Sequence, residues 1–260
     1  MGATRVTGPR VPEAAAVGFS RVATEYERAR RGYPRDLIDQ VAATVGIGPG
    51  RTVVDLAAGT GKLTRILVGS GCDLVAIEPV AEMRAQLIEV LPDVRVIGGT
   101  AEAIPLPDGS VDVVTVAQAF HWFDTTAALD ELARVIRPGG WLVLVWNERS
   151  EGGWMVELQD LADRLSGGAR YRGAAWRPPV EADNRFGPLQ QKTVTVVEHA
   201  TAEWIVDSMA TRSWIASKDA ETRAEILTGL REFLAQHRDT AGRDELVHDH
   251  PCIAYWCQRR

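Results

Sequence analysis

The chain has 260 residues, 45% of them hydrophobic and 25% charged, which is enough to bury a full core without staples. Its formal net charge is −6, so no general attraction to nucleic acid is expected, and no run reaches the roughly 18 apolar residues of a membrane span. Three cysteines, Cys72, Cys252 and Cys257, are too few and oddly numbered for a disulfide framework.

The first residues carry no basic stretch followed by an apolar core, so no leader is expected and cytoplasm is the expected compartment. Residues 1–11 show no pattern. Over 12–31 a helix is predicted, because Ala15, Phe19, Val22 and Tyr26 fall on one face. Pro34 opens a second helix, with Leu37, Ile38, Val41 and Val45 as its apolar stripe. The cluster over 46–50, with three glycines and a proline, ends it.

A strand–helix rhythm follows. Strands are predicted over 52–56, 73–77, 94–97, 111–116 and 141–146, with helices over 62–69, 80–91 and 124–136 between them. Pro138-Gly139-Gly140 reads as the stop of the last helix. The strands are continuously apolar, not alternating, so both faces should be buried, as in a parallel sheet covered by helices. Beyond Asn147 the rhythm breaks. One helix is predicted over 154–165, then a Gly-, Arg- and Pro-rich stretch, a strand over 192–199, helices near 201–209 and 219–237, and a closing strand over 246–256. The expected fold is α/β: a doubly wound, mostly parallel seven-stranded Rossmann-like sheet with a helical cap. The expected organisation is an N-terminal lid over 1–35, the Rossmann-like core over 36–149, a cap insertion over 150–190, and completion of the sheet and cap over 191–260.

The most informative segment is Asp55-Leu56-Ala57-Ala58-Gly59-Thr60-Gly61-Lys62-Leu63-Thr64. An acidic residue ends a buried strand, a glycine turn follows and a helix opens, at the place where open α/β sheets bind ligands. A phosphate-binding P-loop fails at Leu56 and Leu63. A dinucleotide fingerprint is weak, because Thr64 stands where the third glycine belongs. Glu78 ends the second strand, where a carboxylate can accept both hydrogen bonds of a ribose diol; that suits a nicotinamide cofactor as well as other nucleosides.

The segment from Asp55 to Gly61 resembles motif I of the class I S-adenosylmethionine (SAM)-dependent methyltransferases, with Ala57 in place of the motif's first glycine. The resemblance runs over about 19–258. Residues 74–79 resemble motif II, residues 99–112 are similar to the third and fourth strand region of the UbiE/type 11 subgroup, and residues 134–146 are similar to the segment closing the site. It implies a SAM-dependent methyltransferase that yields S-adenosyl-L-homocysteine, acts on a small organic acceptor, and is a monomer or homodimer with no nucleic-acid or membrane partner.

The resemblance also implies roles. Asp55, Ala57, Gly59, Thr60 and Gly61 would hold the methionine portion and Glu78 the ribose. Pro79, Met83, Thr100, Ala101 and Glu102 would surround the adenine, and Gln118 would belong to the donor loop. Residues 26–34 are similar to the subgroup's lead-in, so Tyr26 and Arg30 would reach the donor's carboxylate or the acceptor, and Tyr33 the acceptor. Gln118-Ala119-Phe120-His121-Trp122-Phe123 resembles the motif after the fourth strand, which borders the methyl group. His121 is the candidate general base, since imidazole titrates near neutrality; a purely packing or orienting histidine is the alternative. Trp122, Trp154, Trp176 and Trp214 are candidates for an apolar acceptor pocket. His248, His250 and Cys252 alternate on one strand face, but three ligands on one strand are awkward, and no metal is expected. A SAM-binding enzyme of other chemistry such as cyclisation, an NAD(P)-dependent oxidoreductase and a non-enzymatic SAM sensor are the other readings.

Overall fold

The computed structural model describes residues 31–167 and 175–260. Tyr26, Arg30 and the helix expected over 12–31 lie outside the described residues. Seven strands form one sheet: β1 Thr52–Leu56, β2 Asp73–Ile77, β3 Arg95–Ile97, β4 Val111–Ala117, β5 Ile136–Asn147, β6 Gln190–Ala200 and β7 Leu246–Gln258. Their spatial order is β3-β2-β1-β4-β5-β7-β6. The first five pair in parallel, and β7 joins antiparallel to both β5 and β6. Chain order reverses on either side of β1, with β2 on one flank and β4 on the other, so a ligand crevice is expected at the carboxyl ends of those strands.

Alternate residues of the strands face opposite helical layers. Val54, Val114, Leu142, Leu144 and Trp146 pack against α4 (Thr125–Val135) and α6 (Arg177–Ala182). Val53, Val113, Val143 and Val145 pack against α1 (Arg35–Val45) and the short α2 (Thr64–Leu67). α3 (Ala81–Val90) follows β2. Both faces of the central strands β1, β4 and β5 are therefore dry, which explains their unbroken apolar runs. Asp112 is buried between the Arg51 and Arg137 guanidinium groups, at 2.6 and 3.0 Å, where β4 begins.

A separate helical layer has its own core. α5 (Gly153–Leu165), α7 (Ala202–Ala210), α8 (Ser213–Ala216) and α9 (Ala220–Gln236) bury Trp154, Leu158, Ile205, Met209, Ile215 and Leu230 together. Asp219 and Thr201 cap α9 and α7 through the Thr222 and Trp204 amides.

Two local expectations are corrected. Pro138-Gly139-Gly140 does not stop a helix; it lies inside β5, which begins at Ile136. Ile136 already pairs with Val111, and the register shifts between Val111 and Val113, so the irregular triplet is absorbed as a sheet distortion. The Pro-rich stretch contains a helix, α6, whose prolines occupy its first turn, where an amide donor is not needed.

Candidate active site

Asp55 ends β1 fully buried. The Thr64 hydroxyl donates to its Oδ2 at 2.5 Å and the Thr115 hydroxyl to its Oδ1 at 3.3 Å. Burial pushes the Asp55 carboxyl up to about 6, against the pull of the Thr64 and Thr115 hydroxyls and the Thr64 amide. Thr64, in the place of a third glycine, therefore closes the turn back onto the acid. Between them the chain turns with Ala57, Gly59 and Gly61 at φ of 57°, 59° and 89°. Gly61 has a second reason to be glycine: an added Cβ would meet Leu87 Cγ at 3.1 Å.

Glu78 directly follows β2 and is also buried. Its Oε2 accepts the Gly59 amide at 2.9 Å and its Oε1 accepts the Val80 amide at 2.8 Å. Burial pushes this carboxyl up to about 7, against the pull of those amides and of Arg84.

Two cavities meet at the turn. One is lined by Glu78, Pro79, Met83, Thr100, Ala101 and Glu102, with Trp122 and Phe123 across from them. The other is lined by Asp55, Thr60, Lys62, His121 and Asn147, with Tyr33, Arg31, Arg149, Arg212 and Trp214 at its wall. Ala57, Gly59, Gln118 and Trp122 line both. The two cavities share this wall, and the turn is the waist between them.

Gln118 sits at that waist with φ of 58°, its amide donating to the Val145 carbonyl at 3.0 Å and its Nε2 to the Asn147 carbonyl at 3.1 Å. Asn147 in turn donates Nδ2 to the Gly32 carbonyl at 3.0 Å, which fixes the segment carrying Tyr33 over the end of β5. His121 lies in a short 3-10 turn, Phe120–Trp122, with its ring 4.6 Å from the Trp122 ring and 5.4 Å from that of Trp146. Glu102 accepts the Asp124 amide at 3.0 Å at the start of α4.

The structure thus gathers Asp55, Ala57, Gly59, Thr60, Glu78, Pro79, Met83, Thr100, Ala101, Glu102, Gln118, His121, Trp122, Tyr33 and Trp214 along one cleft. Gly61 supports the turn from behind. Trp154 and Trp176 line neither cavity, which corrects their assignment to an acceptor pocket. Trp176 stacks on Trp146 at 5.8 Å and meets Tyr255 edge-on in the core of the main sheet. Trp154 is buried in the helical layer and donates Nε1 to the Val247 carbonyl. Their aromatic mass is needed for core volume, which a sequence does not distinguish from a pocket wall. Sequence reasoning missed Asn147, Arg149, Ser208 and Arg212 as lining residues. Asn147 had a signal, since it directly follows a buried strand; the other three did not.

The chain is similar to known proteins over most of its length. The family described as "Methyltransferase domain" matches residues 54–144. The chain is 40% identical over 233 residues to the uncharacterized methyltransferase Rv3342 of Mycobacterium tuberculosis, covering 89% of this chain and 91% of that protein. It is 36% identical over 146 residues to a demethylmenaquinone methyltransferase of Mycobacterium sp. (strain KMS), covering 54% and 63%. Among solved structures it overlays the YcgJ protein from Bacillus subtilis with a TM-score of 0.58 at 21% identity, covering 85% of this chain and 97% of that one. A protein described as a methyltransferase from an antibiotic biosynthesis pathway of Anabaena variabilis gives 0.64 at 20%, covering 87% and 98%. These two likenesses concern the fold. The chain belongs to the class I SAM-dependent methyltransferases, in the type 11 group.

SAM is accordingly the cofactor, and the cleft suits it. Two buried carboxylates with raised affinity for protons lie at either side of a positive-φ turn, and an ionised carboxylate there accepts charge-assisted hydrogen bonds from hydroxyl or ammonium donors.

Proposed function

We propose that the protein methylates a small organic acceptor by in-line transfer, with the acceptor enclosed in the chamber that carries His121, Tyr33 and Trp214. The observation that carries this reading is the two-chambered cleft joined at Ala57, Gly59, Gln118 and Trp122. In it Glu78 holds the ribose, Pro79, Met83 and Ala101 enclose the adenine, and Asp55 and the glycine turn hold the methionine end. Bound SAM supplies an electrophilic methyl on a sulfonium that departs as a neutral thioether. The leaving group therefore needs no acid from the protein.

What remains for this chain is alignment, exclusion of water and, for a hydroxyl or carbon acceptor, removal of one proton. His121 is the side chain for that proton, since it lies in the chamber next to the waist. The roof comes from the helical layer, through Ser208, Arg212, Ser213 and Trp214, with the Arg212 guanidinium 5.4 Å from the Trp214 ring centre. This supports an acceptor of metabolite size, because side chains of the helical layer wall the chamber. The chain acts as a monomer or homodimer in the cytoplasm in this reading, and no helix among the described residues is long and apolar enough to cross a membrane.

The test is transfer of a radiolabelled methyl group from SAM into a metabolite extract, followed by mass spectrometry of the labelled product. Label in one small metabolite supports the reading. Label only in protein or RNA contradicts it. SAM consumed without label transfer points to other chemistry, and SAM bound without turnover points to a sensor.

A further inference from the structure

Away from the donor cleft, three potential metal ligands converge on the β6–β7 pair. Glu198 pairs directly with His248, and Val196 pairs with His250, so the register places the carboxylate beside one imidazole and near the next. One ligand atom from each lies within 4.8 Å of the others. His248 Nε2 is 3.5 Å from Glu198 Oε2. In a tetrahedral zinc site, with bonds of about 2.0–2.1 Å, neighbouring ligand atoms are about 3.3 Å apart. That edge is therefore nearly at coordination distance already.

His250 is only 1% exposed, and neither of its ring nitrogens has a hydrogen-bond partner. His248 Nδ1 is likewise buried without one. A buried imidazole lone pair left unsatisfied is costly, and a cation bound at His250 removes that cost. The Arg31 guanidinium shows that the cluster draws a cation: it lies 2.6 Å from Glu198 Oε2 and donates to His248 Nε2 at 3.0 Å. An arginine can only donate, so His248 turns the Nε2 lone pair toward that cation.

We propose that Glu198, His248 and His250 form a binding site for a divalent transition ion of the zinc class, with Arg31 as the competing cation that closes it in this structure. Two imidazoles, one carboxylate and an open fourth position for water form a recognised ligand set for such an ion. Cys252, on the same face of β7, is not part of the cluster; the third ligand comes from the neighbouring strand instead. That removes the difficulty of three ligands on one strand.

The experiment is calorimetric titration of the full, metal-stripped chain with zinc in a non-chelating buffer, alongside cobalt absorption spectra. The expected result is one zinc per chain, weakened about tenfold or more by Glu198→Gln and by His250→Asn. Arg31→Met should tighten binding by about tenfold, because it removes the competing charge without touching a ligand. Cobalt should give d–d bands with no thiolate charge-transfer band. Three results would overturn the proposal: no zinc bound by either wild type or Arg31→Met at about 100 μM, affinity unchanged in both ligand variants, or a thiolate band. Circular dichroism melts of each variant separate loss of a ligand from loss of the fold, and Arg31→Met keeps the test decisive should a histidine variant not fold.

Discussion

Glu78 Oε2 accepts the Gly59 amide at 2.9 Å, so the acid at the end of β2 is tied to the glycine turn that follows β1. The same carboxylate faces the cavity assigned to the nucleoside. In the proposed donor site one side chain therefore serves both the turn and the ribose. Replacing Glu78 with Ala should weaken SAM binding by about 1.5–3 kcal/mol, the cost of losing charge-assisted hydrogen bonds. An unchanged dissociation constant by calorimetry would show that the ribose is held elsewhere.

The pH dependence of binding follows from the same residue. Burial raises the Glu78 carboxyl from an ordinary value of 4.5 to about 7. Ribose hydroxyls donate to the ionised form, so SAM affinity should rise as pH is raised toward 7 and level off above it. Glu78→Gln should remove that dependence. For folding the sign is opposite. Between 4.5 and 7 the folded chain holds a proton that the unfolded chain has released, so this group takes stability away as pH rises through that window. Asp55 acts the same way between 3.8 and about 6. His248 and His250, depressed from 6.5, act in the other direction, so the total curve mixes the two. Denaturant melts of Glu78→Gln against wild type isolate the effect: the variant's relative stability should grow from pH 4.5 to 7. A constant difference would contradict the assignment.

Ala57 adopts φ of 57°, a left-handed conformation that costs a non-glycine residue about 1–2 kcal/mol. Glycine would remove that strain but add about 0.4–1 kcal/mol of unfolded-state entropy. Ala57→Gly should therefore stabilise the chain slightly, with a rise in Tm of about 1–3 °C by differential scanning fluorimetry. A clear fall would mean that the Ala57 methyl makes a packing contact worth more than the strain.

His121 should be separable from the donor shell. If it removes the acceptor's proton, His121→Ala lowers turnover by about 10²- to 10⁴-fold while SAM affinity changes little. The wild-type rate should rise with pH through one ionisation that the variant lacks. Near-normal turnover would assign His121 to orienting Trp122 and Trp146, whose rings flank it. Lost SAM affinity would place it on the donor.

The sheet and the strand-end residues that line the cleft were legible because the physics there is local. Buried parallel strands read as unbroken apolar runs, and Asp55, Gly59 and Glu78 sit at strand ends that the rhythm locates. Pro138-Gly139-Gly140 misled because a proline and two glycines stop a helix in isolation, whereas here Ile136 is already paired with Val111 before the triplet begins. Trp176 misled because burial in a core and burial against a substrate demand the same side chain. Glu198 was invisible beside His248 because their contact depends on the register of two strands separated by 45 residues of helix and loop. Arg212 and Ser208 reach the chamber only through the packing of the helical layer.

The most direct test of the account is a pair of calorimetric titrations of the wild-type chain, one with S-adenosyl-L-homocysteine and one with NAD. The turn through Asp55, Gly59 and Thr64 and the carboxylate of Glu78 predict one S-adenosyl-L-homocysteine bound per chain and no heat from NAD. Binding of NAD without binding of S-adenosyl-L-homocysteine would contradict the assignment of the cleft.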